Sequence, residues 1–263
     1  MNILLSNDDG IHASGIRALV KELSIKHDVY VVAPDRERSA AGHSLTLHSP
    51  LRVDELEPFN GAKKCWSTSG TPGDCVKIAI SAILTGDEKP DFVISGINHG
   101  ANLGTEVLYS GTVSCAIEGS IMGVPSISMS LANYKGTQNE FEVAAKFAST
   151  LLDQVDRCKV PPRTILNVNV PAIPEEDITG IEITELGNRM FSDIYEKRID
   201  PRGKTYYWMA GEYLNDASNE KSDVSAIINN KISITPVCFE MTNKSYMTEL
   251  KSELCLDNGC DWF

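Results

Sequence analysis

The sequence predicts an α/β fold: a doubly wound, mostly parallel Rossmann-like sheet followed by a C-terminal β-arm and a terminal helix. Short apolar runs alternate with segments of helical periodicity over roughly the first 170 residues, a pattern typical of repeated β-α-β units. The runs lack strict polar alternation, as expected of strands that helices cover on both faces. Beyond residue 170 the segments become shorter and more polar. We therefore predict an α/β domain at 1–170 and a β-arm with an oligomerisation segment at 171–263.

The elements of the α/β domain follow in order along the chain. Asn2–Ser6 is a short apolar run, and the apolar residues of 15–23 then recur at helical spacing. The other predicted helices are Cys75–Leu84, Gly111–Met122 and Phe141–Val155, and the other predicted strands are Asp28–Pro34, Asp91–Ser95, Pro125–Leu131 and Thr164–Val170. Between Ser44 and Ser69 we expect short, half-exposed strands that form an insertion at the sheet edge.

The C-terminal part contains alternating segments such as KTYYWMA (204–210) and KISITPV (231–237), and it ends in the amphipathic stretch SYMTELKSEL (245–254). It has too few unbroken apolar runs for a core of its own. We expect it to project and to pack on the main domain or on another subunit. Exposed apolar strands commonly pair with a partner, so the aromatic segment at 204–210 predicts a homo-oligomer.

Composition limits the class of partner. Hydrophobic residues make up 42% and charged residues 23% of the chain, as in ordinary globular proteins. Lys and Arg total 24 against 36 Asp and Glu, a net charge of −12, which disfavours binding to long nucleic acid.

The N-terminus reaches two carboxylates before any long apolar run, so we expect a cytoplasmic protein without a membrane anchor. The seven cysteines include no CxxC pair, which argues against a disulfide framework or a thiolate zinc site.

Two carboxylates follow the first predicted strand directly. The carboxyl edge of an open α/β sheet is where ligands bind, and Asp8 and Asp9 belong at that edge. Adjacent carboxylates repel each other, and a divalent cation relieves the repulsion. Ser39, in the loop after the second strand, would complete an oxygen site. The alternative is structural: one Asp caps the following helix, the other is solvated, and Ser39 is a cap or a solvated loop residue.

A Gly-rich loop follows the strand at 91–95. It carries Asn98 and ends in Ser110, Gly111 and Thr112, just before a predicted helix. Amides and hydroxyls at a helix N-terminus bind phosphate well. The alternative is a capped helix after a long loop, although loops of this length in compact domains are more typical of function. The sequence has no GxxxxGK[ST] motif and no GxGxxG after the first strand, which argues against a P-loop and a dinucleotide-binding fingerprint.

Taken together, six motifs resemble the survival protein SurE family of nucleotidases. In order, they are NDDG (7–10), PDRERS (34–39), SLTL (44–47), TPGDCV (71–76), SGINHGANLG (95–104) and YSGTV (109–113). The resemblance implies a divalent-metal phosphatase acting on nucleoside 5′- and 3′-monophosphates, with short polyphosphate as a substrate of some members, and dimers or tetramers that exchange C-terminal segments. It implies metal ligands at Asp8, Asp9, Ser39 and Asn98, and phosphate contacts at Asn98, Ser110, Gly111 and Thr112. Gly73 and Cys115 depart from the family pattern.

This donor set defines the expected chemistry. Oxygen ligands favour Mg²⁺ or Mn²⁺ over zinc, and we expect one ion per subunit. Asp8, Asp9 and Asn98 are the predicted catalytic residues: Asn98 orients the phosphoryl group, and one of the two aspartates accepts a proton from the attacking water. Two alternatives stay open. One is a phospho-aspartate phosphatase of the haloacid dehalogenase type, which needs a carboxylate where Gly10 stands. The other is a non-catalytic nucleotide or metal-ion sensor.

Overall fold

The computed structural model describes residues 1–132, 138–158, 160–192, 194–211 and 213–254. The helices are α1 (Ser14–Leu23), α2 (Pro72–Ile78), α3 (Gly111–Ile121), α4 (Gln138–Cys158), α5 (Asp223–Ile228) and α6 (Lys244–Glu253). The strands are β1 (Asn2–Ser6), β2 (Asp28–Pro34), β3 (Val53–Leu56), β4 (Lys64–Thr68), β5 (Phe92–His99), β6 (Ser126–Leu131), β7 (Thr164–Val170), β8 (Gly180–Ile183), β9 (Asn188–Phe191), β10 (Ile194–Ile199), β11 (Thr205–Ala210), β12 (Tyr213–Asp216) and β13 (Lys231–Cys238).

Nine of the strands in the described residues form one sheet, in the order β3-β4-β2-β1-β5-β6-β7-β13-β8. All neighbours from β4 to β7 are parallel, whereas β3 and β13 run antiparallel to β4 and β7. This confirms the predicted doubly wound, mostly parallel sheet. Strand β1 has β2 on one side and β5 on the other, so the winding reverses there. A crevice at the carboxyl ends of strands opens at such a switch point.

Helices cover the sheet on both faces. Successive residues of β1 point to opposite faces of the sheet, and both faces are buried. Ile3 and Leu5 lie in one apolar cluster, and Leu4 lies in another. The first cluster includes residues of α1 and α4, such as Ile16, and the second includes residues of α2 and α3, such as Val76. Burial on both faces explains why the strands show no polar alternation.

Helix α1 packs directly on β5. A Cβ atom on Gly15 would lie 2.0 Å from the carbonyl oxygen of Ile97, so no side chain fits between the two elements. Because α1 follows the loop after β1, this contact fixes that loop relative to the carboxyl end of β5. Glycine at position 15 therefore helps to define the crevice at the switch point.

Several elements differ from their predicted extents; α4, for example, extends beyond the predicted helix at 141–155 at both ends. Strand β5 continues to His99 instead of ending at Ser95, with a register shift between Ser95 and Asn98. Gly96 has φ +123°, and a Cβ atom there would lie 2.2 Å from the carbonyl oxygen of Met129. The glycine that breaks the apolar pattern thus allows a bulge within the strand. The predicted helix at 75–84 divides into α2 and a π-helical turn at Ala79–Ile83.

The C-terminal part contributes to the main sheet as well as to the arm. Strand β13 pairs with β7 and β8, and its residues Ile232 and Ile234 belong to the main core. The sheet therefore extends beyond Val170, where we expected the arm to begin. Strands β10 and β11 form a separate hairpin that is exposed along nearly its whole length, and β9 pairs with β12 at its base. No helix in the described ranges combines the length and apolarity needed to span a bilayer.

Candidate active site

The NDDG segment after β1 is a closed turn. Asn7 is fully buried, its amide nitrogen donates to the carbonyl oxygen of Gly10 over 2.9 Å, and the Gly10 N–H donates back to its Oδ1 over 3.2 Å. These two bonds fix the positions of Asp8 and Asp9 between them. Sequence reasoning gave Asn7 no role of its own, although an Asn three residues before a Gly is the signal for such a turn.

Asp8 lies against the N-terminus of α3. Its carboxylate is buried and accepts a 2.5 Å hydrogen bond from the Thr112 hydroxyl, together with bonds from the backbone N–H groups of Gly111 and Thr112. A Cβ atom on Gly111 would lie 2.6 Å from that of Asp8, so glycine is needed for this approach. Burial raises the pKa of Asp8, and the bonds from α3 partly offset the increase. The anion at this helix N-terminus is therefore the protein's own carboxylate.

Asp9 lies between β1 and β5. Its Oδ2 accepts a hydrogen bond of 3.2 Å from the backbone N–H of His99. Burial, and then the negative charge of Asp8, raise the pKa of Asp9 to about 6. The repulsion expected between the paired carboxylates is thus present, and it adds to the effect of burial on the pKa of Asp9.

Asn98 lies at the end of β5, next to the residue that binds Asp9. Its amide nitrogen donates to the carbonyl oxygen of Gly100 over 2.9 Å. The side-chain carbonyl oxygen is consequently the atom that Asn98 offers to a cation. Because His99 donates its backbone N–H to Asp9, the end of β5 that carries Asn98 lies beside the NDDG turn.

The loop after β2 covers the NDDG turn. The Arg38 N–H donates to the carbonyl oxygen of Asp8 over 2.7 Å, and the Gly42 N–H donates to that of Tyr109 over 3.1 Å. Ser39 follows Arg38, is exposed, and donates its hydroxyl proton to Glu37 over 2.6 Å. Because the Ser39 hydroxyl is the donor in this bond, the lone pairs of its oxygen stay available to a cation. The Arg38 bond joins the loop that carries Ser39 to the backbone of Asp8.

The two hydroxyls at the start of α3 have contacts other than those we expected. Ser110 caps the helix, since its oxygen accepts from the Val113 N–H over 3.1 Å. Thr112 is fully buried and donates its single proton to Asp8. In this arrangement Thr112 supports a carboxylate instead of offering its hydroxyl to a phosphate. The difference arises because Asp8 reaches the helix N-terminus directly across Gly111.

A buried amide network fixes the loop between β5 and α3. Asn102 donates its backbone N–H to Asn169 over 2.8 Å and its side-chain amide to Ser130 over 2.7 Å. Its carbonyl oxygen accepts from the side chains of Asn167 and Asn169. Sequence reasoning missed this network. Its signal is the pair of asparagines at alternate positions of the otherwise apolar strand β7.

The arrangement offers oxygen donors for one cation. Within the part of the chain that the structure describes, no group of three or more His, Cys, Asp or Glu residues could hold a metal. A site at Asp8 and Asp9 would thus take its other protein ligands from the Asn98 amide and the Ser39 hydroxyl. Such a set suits a hard ion that prefers oxygen.

A family model described as "Survival protein SurE" matches residues 3–193, which is more than half of the chain. This chain belongs to the SurE family. The match spans β1, the switch point, α3 and the base of the arm. It confirms the resemblance that the six sequence motifs carry.

Relatives and a solved structure of SurE proteins agree with this assignment. The chain is 52% identical over 248 residues to the 5′-nucleotidase SurE of Thermosynechococcus vestitus, covering 92% of each chain. It is 50% identical over 254 residues to the 5′-nucleotidase SurE of Heliobacterium modesticaldum, covering 97% of this chain and 92% of that one. The crystal structure of the SurE protein from Aquifex aeolicus superposes with a TM-score of 0.82 at 40% identity, covering 96% and 99% of the two chains.

The phospho-aspartate alternative finds no support at position 10. Gly10 has φ +95°, and a Cβ atom there would lie 3.1 Å from the backbone carbonyl carbon of Arg36. The second carboxylate that a haloacid dehalogenase needs therefore does not fit this turn. Membership of the SurE family is the simpler account of Asp8 at the end of the first strand.

The contact between Thr112 and Asp8 can be tested by substitution. Thr112→Val removes the donor and keeps the shape, so the pKa of Asp8 should rise further, and the free energy of unfolding at pH 8 should fall by about 1–3 kcal/mol. Carboxyl NMR titration of chelator-treated protein measures the first effect, and urea denaturation measures the second. Thr112→Ser is the matched control because it keeps the hydroxyl and should leave the pKa of Asp8 close to its wild-type value. An unchanged Asp8 titration in Thr112→Val would contradict the contact.

The raised pKa of Asp9 predicts a pH-dependent stability. Because the pKa of Asp9 is about 6 in the fold against an ordinary 3.8, metal-free wild type should lose stability relative to Asp9→Asn as pH rises from 4 to 6. The difference should be absent below pH 4, and it reaches at most about 3 kcal/mol at pH 8. Denaturation in chelator at both pH values measures it, and Asp54→Asn on exposed β3 is the control. An equal difference at pH 4 and pH 8 would show that Asp9 is not responsible.

Proposed function

We propose that the chain is a divalent-metal-dependent phosphatase that hydrolyses nucleoside monophosphates to nucleoside and phosphate. The printed names of its relatives, 5′-nucleotidase SurE, support the nucleotidase activity. The proposed substrates include 5′- and 3′-monophosphates and short polyphosphate, as the family resemblance implies. The expected cytoplasmic location stays a prediction.

One observation carries the proposal. The buried carboxylate of Asp8 lies at the N-terminus of α3, next to Asp9 at a sheet switch point. A carboxylate pair binds a cation, a helix N-terminus favours an anion, and phosphoryl transfer needs both charges in one crevice. A plain structural turn would not require a carboxylate buried against a helix end.

We propose one Mg²⁺ or Mn²⁺ ion per subunit, held by Asp8, Asp9, Ser39 and Asn98. The residues fit such an ion: both carboxylates have raised pKa values that a cation would lower, and the hydrogen bonds of Asn98 and Ser39 leave an oxygen of each available. When bound, the ion supplies Lewis-acid polarisation of a phosphoryl oxygen and of the attacking water.

The protein groups divide the remaining tasks. Asp8 accepts bonds from α3 through Thr112 and Gly111, so we propose that it serves as a fixed ligand. Asp9 accepts the single backbone bond from His99 and is the better candidate to take a proton from water. Asn98 orients the phosphoryl group. We propose that the Ser110–Thr112 segment lies beside the phosphate; since the hydroxyls of Ser110 and Thr112 already serve the helix cap and Asp8, its contribution there would come from the positive end of α3.

Phosphate release from AMP or GMP tests the enzyme proposal. Wild type with Mn²⁺ or Mg²⁺ should release inorganic phosphate, and excess chelator should abolish the release. Asp9→Asn should lower kcat by about 10²–10⁴-fold because it removes a ligand and the proposed proton acceptor. Asp54→Asn removes one exposed carboxylate of an acidic pair and should keep wild-type kcat. A malachite-green assay of released phosphate gives all four values.

The same experiment separates the enzyme from a sensor. A sensor would bind AMP in a metal-dependent manner, as calorimetry can detect, without releasing phosphate at any metal concentration. Full activity of Asp9→Asn at saturating Mn²⁺ would contradict the site assignment while leaving the activity itself intact. Phosphate release without any divalent ion would contradict the metal requirement.

We further propose that residues after 170 join subunits into a homo-dimer or tetramer. The hairpin of β10 and β11 exposes Tyr207 at 58% and Trp208 at 59% in the single chain. Large aromatic side chains on a projecting hairpin are typical of association surfaces. The alternative expectation is that the arm packs on the main domain of its own chain. In the single chain Tyr207 and Trp208 stay exposed, which favours a contact with another subunit.

Light scattering measures this association. Wild type should have two or four times the 28.7 kDa chain mass, and Trp208→Glu should shift the population toward monomer because it buries a charge in the apolar contact. Ile25→Glu is the control, since Ile25 is 73% exposed on the main domain, away from the hairpin. A wild-type monomer at micromolar concentration would refute the proposal.

A further inference from the structure

Another buried carboxylate, Asp223, lies in the C-terminal part. It begins α5 and is fully buried. Its Oδ2 accepts from the Gly104 N–H over 2.8 Å, and its Oδ1 accepts from the Gly187 and Val224 N–H groups, each over 2.8 Å. The three donors belong to the loop before α3, to the segment before β9 and to α5 itself. The carboxylate therefore joins three parts of the chain.

Helix capping does not account for this carboxylate. The N-cap of α5 is Ser222, whose oxygen accepts from the Ser225 N–H over 3.1 Å. A buried carboxylate is costly unless it is hydrogen-bonded, and most of the bonds to Asp223 come from outside the helix. Its distinct contribution is the connection between the loop before α3 and the base of the arm.

Further contacts reinforce the connection. Gly104 has φ +54°, and a Cβ atom there would lie 2.5 Å from the carbonyl oxygen of Gly187, so the two backbones touch. The Thr105 hydroxyl donates to the Arg189 carbonyl oxygen over 2.6 Å, and the Arg189 guanidinium pairs with Glu106 over 2.8 Å. Arg189 is itself buried. We call this set of contacts, between residues 104–106 on one side and Gly187, Arg189 and Asp223 on the other, the joint. The joint forms only when residues 104–106 have this conformation.

A few consecutive contacts connect the joint to the candidate active site. Residues Gly104–Leu108 form a 3₁₀ turn, and the carbonyl oxygen of Glu106 accepts from the Ser110 N–H over 3.2 Å. Ser110 caps α3, and Thr112 in its first turn donates to Asp8. A displacement of Gly104 would thus move the helix end that holds Asp8.

We propose that Asp223 is a positioning residue that holds the loop at 104–108, and through it the N-terminus of α3, in register with Asp8. It touches neither substrate nor metal. Through Gly187 it also couples the base of the arm to the site. The catalytic part of this inference rests on the proposed phosphatase function, whereas the structural part does not.

Asp223→Asn is the direct test. The amide keeps one acceptor oxygen but presents N–H groups to a backbone donor, so Gly104 or Gly187 loses its partner. Hydrogen exchange of peptides covering 104–112 should become about tenfold faster or more, while exchange in β1 stays at the wild-type rate. With AMP and saturating Mn²⁺, kcat should fall about 10- to 100-fold with KM changed much less, because positioning acts on the reacting geometry.

Ser222→Ala is the matched control, because it removes the α5 cap and leaves the carboxylate. It should lower the melting temperature while the 104–112 peptides and kcat stay at wild-type values. If Asp223→Asn leaves exchange at 104–112 unchanged, or if Ser222→Ala alters exchange and kcat as strongly, the positioning role is overturned. Wild type that releases no phosphate would defeat the proposed function, and the exchange comparison would still decide the role of Asp223.

Gly187→Ala approaches the same joint from the arm. Its Cβ atom would lie 2.9 Å from the Val224 side chain and 3.0 Å from the Asp223 carboxylate, and it alters no residue of 104–112. If Asp223→Asn does not fold, this variant carries the test. Faster exchange at 104–112 with lower kcat supports the proposal, and wild-type values for both overturn it.

Discussion

The candidate site depends on one interaction, the contact of the Asp8 carboxylate with the N-terminus of α3. A carboxylate buried at the end of β1 would be unstable without donors, and the hydroxyl of Thr112 and the amides of Gly111 and Thr112 supply them. The contact also fixes α3 relative to β1, since Gly111 leaves no space for another side chain. The geometry of the candidate site and the packing of α3 therefore depend on the same hydrogen bonds.

The sequence predicts the parts of this site that follow from strand ends. Asp8 and Asp9 follow β1, and Asn98 lies near the end of β5. Parallel strands bring their carboxyl ends to one edge, so the β-α-β order predicts that these residues lie at the same edge of the sheet. The partner of the Thr112 hydroxyl could not be predicted in the same way. It depends on how closely α3 approaches β1, which is a property of packing at Gly111 and not of any local pattern.

Long-range pairing explains the other differences between sequence and structure. In the sequence of β13, apolar and polar residues alternate as in the other C-terminal segments. The strand nevertheless pairs with β7 and adds Ile232 and Ile234 to the main core. Alternation shows that one face is buried and does not identify the covering element. Asp223 was missed for a related reason, because its backbone partners at Gly104 and Gly187 carry no side-chain signal.

The donors that hold the site come from distant parts of the chain, and this has a physical consequence. Asp8 receives its bonds from α3, the loop after β2 donates to its carbonyl oxygen, and the turn before α3 is held by Asp223. Each of these contacts joins residues that are far apart in the chain, so each requires the folded arrangement of those parts. Two close carboxylates can be tolerated only in such a framework, because local contacts alone would allow the turn to relax into water. The charge repulsion that makes the crevice suitable for a cation is thus maintained by the whole fold.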